Sequence, residues 1–356
     1  MRSNYKRLGD YISPVDVRNK DLAIDRLLGV SISKTFIESI ANTVGTDFSN
    51  YKVVKRNQFA YGPVTSRNGD KISVALLNED ECIISSSYSV FKVNDEKQLL
   101  PDYLMLWFNR PEFDRYARYM SHGSVREIFS WDDMCDVELP VPSIEEQNEI
   151  VAAYKAIENR IALKKKINDN LDAIAQTVYQ QMFEANPDRN SWPSGNVGDV
   201  IQLQRGHDLP RSEMNGGDYP VAGSTGTIGY HDQYTTPAPA IVMGRSGNIG
   251  NPRLYLCNCW AHNTSLYVKD YGTSNPFWIF YMLKNLNYEG FKGGSAVPTL
   301  NRNDIHSVNI IIPPEEIQKS FADQVLPLIT NKERNQVEIA ALEDFGSIIL
   351  ATISSR

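Results

Sequence analysis

The chain is short of cysteine, has no long apolar run and carries no recognisable catalytic signature. Its four cysteines, Cys82, Cys135, Cys257 and Cys259, are few and scattered, as in a reducing compartment, so no disulfide framework is expected. Cys257-Asn258-Cys259 lies near His262, but a structural zinc site needs a second ligand pair and none is present. The preferred reading is a strand with alternating thiols, with no metal and no cofactor. No run of 18 apolar residues exists, so no membrane span is expected. The opening Met1-Arg2-Ser3-Asn4-Tyr5-Lys6-Arg7 is polar and lacks an apolar stretch, so no signal peptide is expected and the cytoplasm is the default location.

Enzyme motifs are equally scarce. No Gly-Lys dipeptide occurs, which excludes a Walker A phosphate loop. Asn275-Pro276-Phe277-Trp278 has one proline where an amino-methylating enzyme has Asn/Asp-Pro-Pro-aromatic, and reads better as the turn that starts a helix. Asp95-Glu96-Lys97 precedes both Pro-Asp pairs, the wrong order for a common metal-dependent nuclease. The five histidines form no cluster in sequence. The chain is therefore expected not to be an enzyme. A charge of −7 argues against a general nucleic-acid binder, since phosphate neutralisation dominates nonspecific affinity. The charge is uneven, however. Residues 1–142 hold 18 basic and 20 acidic residues and residues 187–312 hold nine of each, so five of the seven excess negatives lie elsewhere.

What is present is a duplication. Gly123-Ser124 recurs as Gly294-Ser295, 171 residues later. At the same offset Asp133 matches Asp304, Val137 matches Val308, Pro142 matches Pro313 and Gln147 matches Gln318. Leu8-Gly9-Asp10-Tyr11-Ile12 resembles Val197-Gly198-Asp199-Val200-Ile201 at an offset of 189, so the first copy is longer by 18 residues. Each copy closes on a long helical pattern. Residues 144–186 contain neither Gly nor Pro, enough for a rod of roughly 60 Å. Ile150, Tyr154, Ile157, Ile161, Lys164, Asn168, Leu171, Ala175, Val178 and Met182 recur by four and three, a heptad seam with a polar middle. Phe321, Val325, Leu328, Lys332, Asn335, Ile339, Leu342, Gly346, Ile349 and Ile353 repeat it position by position, 171 residues on. Two matched seams in one chain predict an antiparallel pair, with the polar positions meeting at mid-length. Pro327 and Gly346 interrupt the second seam, and Pro327 invites a kink.

The expected organisation is a first head at 1–142, a long helix at 143–186, a second head at 187–312 and a second long helix at 313–356. Two kinds of loop carry polar groups suited to nucleic acid. Gly244-Arg245-Ser246-Gly247-Asn248-Ile249-Gly250-Asn251-Pro252-Arg253 follows an apolar strand, and Tyr61-Gly62-Pro63-Val64-Thr65-Ser66-Arg67-Asn68-Gly69 stands in the matching place. Glycine permits close backbone approach, and Arg and Asn can address guanine and adenine edges. Plain hairpin connections would account for the same residues. The second kind is Ser121-His122-Gly123-Ser124-Val125-Arg126 and its twin 292–299, whose N–H groups and hydroxyls suit phosphate oxygens.

The duplicated head-plus-helix plan, the Pro-x-x-x-x-Gln start of each long helix, the Gly-Ser before it and the Gly244-Arg245-Ser246-Gly247 loop together resemble the DNA-specificity subunits of type I restriction–modification systems. The resemblance covers essentially the whole chain. It implies an α+β protein with two mixed α/β target-recognition heads, each followed by a long helix, and the two helices pairing as an antiparallel coiled coil that serves as the spacer. It further implies double-stranded DNA as ligand, read as a bipartite site. The implied protein partners are two methyltransferase (modification) subunits and a restriction/translocase subunit, which carry the chemistry. The DNA-binding residues expected are Arg67, Asn68, Ser124 and Arg126 in the first head and Arg245, Ser246, Asn248, Arg253, Ser295 and Thr299 in the second. A related restriction system with a fused modification–cleavage partner, or a protein-binding scaffold, remains an alternative.

Overall fold

A computed structural model describes residues 5–39, 45–66, 68–121, 127–291 and 299–354. In chain order the first head carries strands β1 (Tyr5–Arg7), β2 (Ile12–Val15), β3 (Leu28–Val30), β4 (Phe36–Glu38), β5 (Lys52–Lys55), β6 (Gln58–Tyr61), β7 (Val74–Leu76), β8 (Glu81–Ile84) and β9 (Ser89–Val93). Helices α1 (Pro101–Phe108), α2 (Pro111–Met120) and α3 (Trp131–Cys135) follow, then β10 (Glu138–Pro140) and the long α4 (Ile144–Tyr179). The second head carries β11 (Ser194–Asn196), α5 (Val197–Val200), β12 (Gln202–Arg205), β13 (Tyr219–Gly223), β14 (Gly226–His231), β15 (Ala240–Gly244), β16 (Gly250–Tyr255), β17 (Trp260–Ala261) and β18 (Ser265–Asp270). It ends with α6 (Pro276–Lys284), α7 (Arg302–His306) and β19 (Asn309–Ile311), before the long α8 (Glu315–Ile353).

The duplication is visible strand by strand. The first head's main sheet runs β2-β9-β6-β7, and the second's runs β12-β18-β15-β16, both fully antiparallel. A second group of strands repeats as well. The β3–β4 hairpin meets β8 through the parallel bridge Leu27–Ile83, and the β13–β14 hairpin pairs in parallel with β17. The β5–β8 pair is echoed by the antiparallel bridge Thr236–Cys259. A terminal two-stranded pair closes each head, β1 with β10 and β11 with β19. Helix α2 belongs to the first head alone among the described residues.

The chain divides into two compact units, Met1–Leu163 with Glu338–Arg356, and Lys164–Val337. Each unit thus combines one head with parts of both long helices. In the first, Phe59, Phe91, Phe108 and Phe129 form a fully buried aromatic core, joined by Val151 of α4 and Ile353 of α8. In the second, Trp278, Tyr281 and Leu283 of α6 pack with Tyr179, Phe183 and Phe321 of the helical segments. Every seam residue proves buried or half-buried: Ile150, Ile157, Ile161, Leu171 and Val178 on one helix, Phe321, Leu328, Ile339, Leu342 and Ile349 on the other.

The helices pair antiparallel, because partner numbers fall as residue numbers rise. In the first unit Arg160 meets Glu338 at 2.5 Å, and Tyr154 lies against Gly346. In the second, Lys164 Nζ donates to Asn335 Oδ1 at 3.0 Å, Asn335 Nδ2 donates to Asn168 Oδ1 at 2.8 Å, and Lys332 pairs with Asp172 at 2.5 Å. Both interruptions in the second seam are accommodated. Helix α8 is continuous through Pro327, and at Gly346 an added Cβ would make only ordinary contact with the Tyr154 ring, 3.6 Å away. The first long helix, by contrast, ends its α-helical run at Tyr179 and continues as a π-helical turn over Gln180–Glu184, where Ala185 N–H reaches the Gln180 carbonyl.

The landmarks at constant offset have structural reasons. A Cβ on Gly9 would lie 2.8 Å from Cys135 Cβ, and one on Gly198 3.1 Å from His306 Cβ, so each matched glycine lets an opening turn sit tightly on a short helix. Asp133 completes a capping box with Ser130 at the start of α3. The matched glutamines bolt the long helices to the heads. Gln147 is fully buried; its Oε1 accepts the Leu100 N–H at 2.9 Å, and its Nε2 donates to the carbonyls of Gln98 and Pro142, both at 2.9 Å. Gln318 accepts the Asn275 N–H and donates to the Pro313 carbonyl, both at 2.8 Å. Leu100 and Asn275 are the residues that cap α1 and α6, and Asn275 also accepts the Phe277 N–H, which identifies Asn275-Pro276-Phe277-Trp278 as a helix start.

Two measurements test this framework. Gln147→Leu keeps the volume but strands one N–H and two carbonyls, at ~1–3 kcal/mol for each group left buried and unpaired, so a loss of ~2–4 kcal/mol is expected after partial relaxation. An unchanged urea midpoint would remove the clip from the account. His306 Nε2 accepts the Leu203 N–H at 2.9 Å, and burial, followed by the charge of Arg302, holds its pKa below the ordinary histidine value. A histidine with a depressed folded pKa contributes stability that is present above the unfolded pKa. That stability is lost as pH falls below ~6.5, where the unfolded chain takes the proton first. Melting temperatures should therefore drop between pH 7.5 and 5, and His306→Gln should flatten the profile.

Candidate nucleic-acid interface

The strand directions place particular loops at one end of each main sheet. In the second head, the segments after β12 and β15 and before β18 and β16 lie together at that end. The loop from β15 to β16 begins with Gly244, where a Cβ would fall 1.6 Å from the Asn248 carbonyl oxygen, so only glycine permits this fold-back. Gly247 and Gly250 have φ of +75° and +73°, and Asn251 has +51°. Hydrogen bonds tie the loop down. Arg245 N–H and Ser246 N–H both reach the Thr264 carbonyl, at 3.0 and 3.3 Å, and Leu300 N–H reaches the Arg245 carbonyl at 2.8 Å. Ser246 forms an antiparallel bridge with Thr299. The loop is thus a hairpin connection, and its glycines serve the turn itself.

The sequence candidates in this head fall into two groups. Arg245 and Ser246 are half-buried, while Asn248, Arg253 and Thr299 are exposed. No described residue accepts a hydrogen bond from the Arg245 guanidinium, whose backbone is fixed on both sides. Asn248 and Arg253 are engaged with a neighbouring turn, donating to the carbonyls of Ser224 and Thr225 at 3.3 and 2.9 Å. The residues Gly223-Ser224-Thr225-Gly226 therefore belong to this surface. The Gly-Ser-Thr-Gly pattern between β13 and β14 is the local signal for this turn. Arg205, Asp208 and Asn263 extend the same end: Arg205 Nε donates to the Asn263 carbonyl at 3.4 Å, and Asn263 donates to Asp208.

The first head presents the same arrangement with different residues. The loop after β6 is stitched to the returning chain by Thr65 N–H to the Glu127 carbonyl at 3.0 Å, Phe129 N–H to the Pro63 carbonyl at 2.8 Å, and a bridge between Val64 and Ile128. These contacts match Ser246–Thr299 and Leu300–Arg245 in kind and position. Asn68 is half-buried and turns its Nδ2 back to the Val64 carbonyl at 3.4 Å. At the same end Arg18 is held by Asp16 at 2.7 Å and by the Asn50 carbonyl at 2.8 Å. Arg67, Ser124, Arg126 and Ser295 lie outside the described residues.

Other expectations about chemistry need revising. Cys257 sits in a turn and Cys259 in an isolated bridge, so the segment is not a strand of alternating thiols. Burial pushes the Cys259 thiol up to about 12 and raises that of Cys257 as well, so both stay protonated. Three of the five histidines do come together: His207 and His231 both pack edge-on to Trp260, and His207 and His262 share a backbone bridge. Among the described residues, no three His, Cys, Asp or Glu side chains are placed to hold a metal ion. Nor is any described helix long and apolar enough to cross a membrane.

The comparison with known families decides what these paired heads are. The model of the type I restriction modification DNA specificity domain matches residues 31–173 and, a second time, residues 190–343. The chain belongs to this family. The MjaIX specificity subunit of Methanocaldococcus jannaschii is 23% identical over 294 residues, which span 71% of this chain and 68% of that protein. The HindI specificity subunit of Haemophilus influenzae is 25% identical over 136 residues, 37% of this chain and 29% of that protein. The crystal structure of a type I S subunit from M. genitalium superposes with a TM-score of 0.67, covering 98% of this chain and 95% of the other. At 13% identity that likeness concerns the fold. The protein is thus the non-catalytic specificity component of a type I restriction–modification system, recognising DNA targets within the complex, as the sequence resemblance implied.

Proposed function

We propose that each head reads one half of a split double-stranded DNA target, and that the paired long helices are the spacer between the two readings. The observation that carries this is the double family match, which falls on two heads of the same strand order. One chain with two equivalent but chemically different loop ends suits a target with two different halves. In the second head Arg245, Ser246 and Asn248 form the reading loop, with Thr299 and Ser295 contacting the backbone of the DNA. In the first, Arg67 and Asn68 read, and Ser124 and Arg126 hold phosphate. Arg245 fits the role best, because its backbone is fixed while its guanidinium is uncommitted, and arginine addresses guanine bidentately. Two methyltransferase subunits and a restriction/translocase subunit dock on this chain and supply adenine methylation and cleavage. Near-neutral heads on acidic helices support a protein that binds DNA weakly alone and well inside that assembly.

Sequencing the methylome of a host with and without this chain, the partner subunits being present in both, tests the reading. One bipartite adenine-methylated motif should vanish with the chain; no change in any motif would overturn the proposal. Within the complex, Arg245→Ala should weaken or relax recognition of one half-site by ~1–3 kcal/mol and leave the other half unaltered. Unchanged affinity and motif would exclude Arg245 from base reading.

A further inference from the structure

Strand β13 passes into β14 through the two-residue turn Ser224-Thr225. Side chains from two other segments hold the backbone of that turn in place. Thr264 Oγ1 accepts the Ser224 N–H at 3.3 Å, Asn248 Nδ2 donates to the Ser224 carbonyl at 3.3 Å, and Arg253 Nη2 donates to the Thr225 carbonyl at 2.9 Å. The Arg253 guanidinium also rests on Gly226, whose φ is +120°; a Cβ there would come within 2.9 Å of Arg253 Cζ. Thr264 is itself fixed, its hydroxyl lying 2.9 Å from His262 Nδ1. Meanwhile the side chain of Thr225 is exposed and that of Ser224 half-buried, and no described residue hydrogen-bonds to either hydroxyl.

A turn whose carbonyls are fixed by neighbouring side chains while its hydroxyls stay unspent is built to present those hydroxyls. Serine and threonine can address base edges as donor or acceptor, and threonine adds a methyl group that can pack on thymine. Recognition groups work best when the shell around them locks their geometry. We infer that Ser224-Thr225 is a specificity-determining contact of the second head, and that Arg253 is a positioning residue that holds this turn in place without touching DNA. The inference rests on the reading of the second head as a DNA reader. It assigns Arg253 a different task from Arg245: the first spends its guanidinium inside the protein, and the second has it free.

The test uses the full chain in complex with its methyltransferase subunits and a randomised double-stranded DNA library, with binding measured across a range of salt concentrations. If the wild-type complex enriches no bipartite sequence, the DNA reading itself fails and this inference falls with it. If it does enrich one, Thr225→Val or Ser224→Ala should change base preference within a single half-site and leave the other half intact. Arg253→Ala should disturb the same positions with binding about tenfold weaker, yet keep the wild-type slope of log affinity against log salt, because no phosphate contact is lost. Arg253→Gln, which retains an N–H donor without the charge, should recover most of the wild-type preference; this variant and Thr225→Val decide the matter should Arg253→Ala melt the head. A salt slope reduced by ~0.9 in Arg253→Ala would make Arg253 itself the phosphate contact and overturn the assignment. Preference unchanged in both Thr225→Val and Ser224→Ala would overturn the role of the turn.

Discussion

A buried glutamine at the start of each long helix is the constraint on which the architecture depends. A primary amide carries both donor and acceptor, so one side chain can satisfy groups of opposite kind on two elements at once. Gln147 does this by joining the residue before α1, the chain just ahead of it and the proline turn before α4. Gln318 does it again before α6 and α8. Neither glutamine has water as an alternative partner, because both are essentially inaccessible, so losing the geometry means losing the bonds outright. Each head and the first turn of its long helix therefore behave as one piece. That explains why the Pro-x-x-x-x-Gln spacing survives in both copies while the loops at the far end of the sheets do not match.

The helical pair answers a second demand, that of register. Asn168 and Asn335 are buried at positions where an apolar residue would stabilise more, and the chain Lys164–Asn335–Asn168 is satisfied only when these residues meet. A polar group at a seam costs stability and penalises every slipped alignment, since a slip leaves an amide unpaired in the interior. The ion pairs Lys332–Asp172 in the same unit and Arg160–Glu338 in the other are more exposed, and such pairs contribute little. The asparagines, more than these charges, select the alignment.

Much of this was legible in the sequence because it repeats. The seam positions are set by heptad spacing, and a spacing shared at a constant offset of 171 leaves little freedom in placing the helices. Gly9 and Gly198, Asp133 and Gln147 showed themselves as matches, although only the structure supplied their reasons. The second group of strands was not legible. β3, β4, β5 and β8 are three or four residues long, too short for a period-two pattern to stand out, and the offset drifts across them as the first head takes up its extra length. The gathering of His207, His231 and His262 near Trp260 depends on pairings such as β13 with β17, between segments nearly 40 residues apart. The sequence marks the candidate loops but not how their side chains are engaged. Arg245 and Arg253 look alike in sequence, and a hydrogen bond to the Thr225 carbonyl separates them.

That separation says something about how such a head can change its target while keeping its fold. The groups that hold the loop ends together are mostly backbone: Arg245 and Ser246 N–H on the Thr264 carbonyl and Leu300 N–H on the Arg245 carbonyl in the second head, Thr65 N–H on the Glu127 carbonyl and Phe129 N–H on the Pro63 carbonyl in the first. A carbonyl accepts whatever side chain its residue carries, so Pro63 can stand where the second head has Arg245 and still accept from Phe129 as Arg245 accepts from Leu300, while the proline, lacking an N–H, gives up the bond that Arg245 makes to Thr264. Side chains at these positions are consequently free to differ between the two heads. The exceptions are the residues that fix a turn through their side chains, Asn248, Arg253 and Thr264, where a substitution shifts a neighbouring contact as well as removing its own. On the proposed reading, a change at Arg245 or Ser246 acts by itself, whereas changes around Ser224-Thr225 are coupled through the carbonyls of a single two-residue turn.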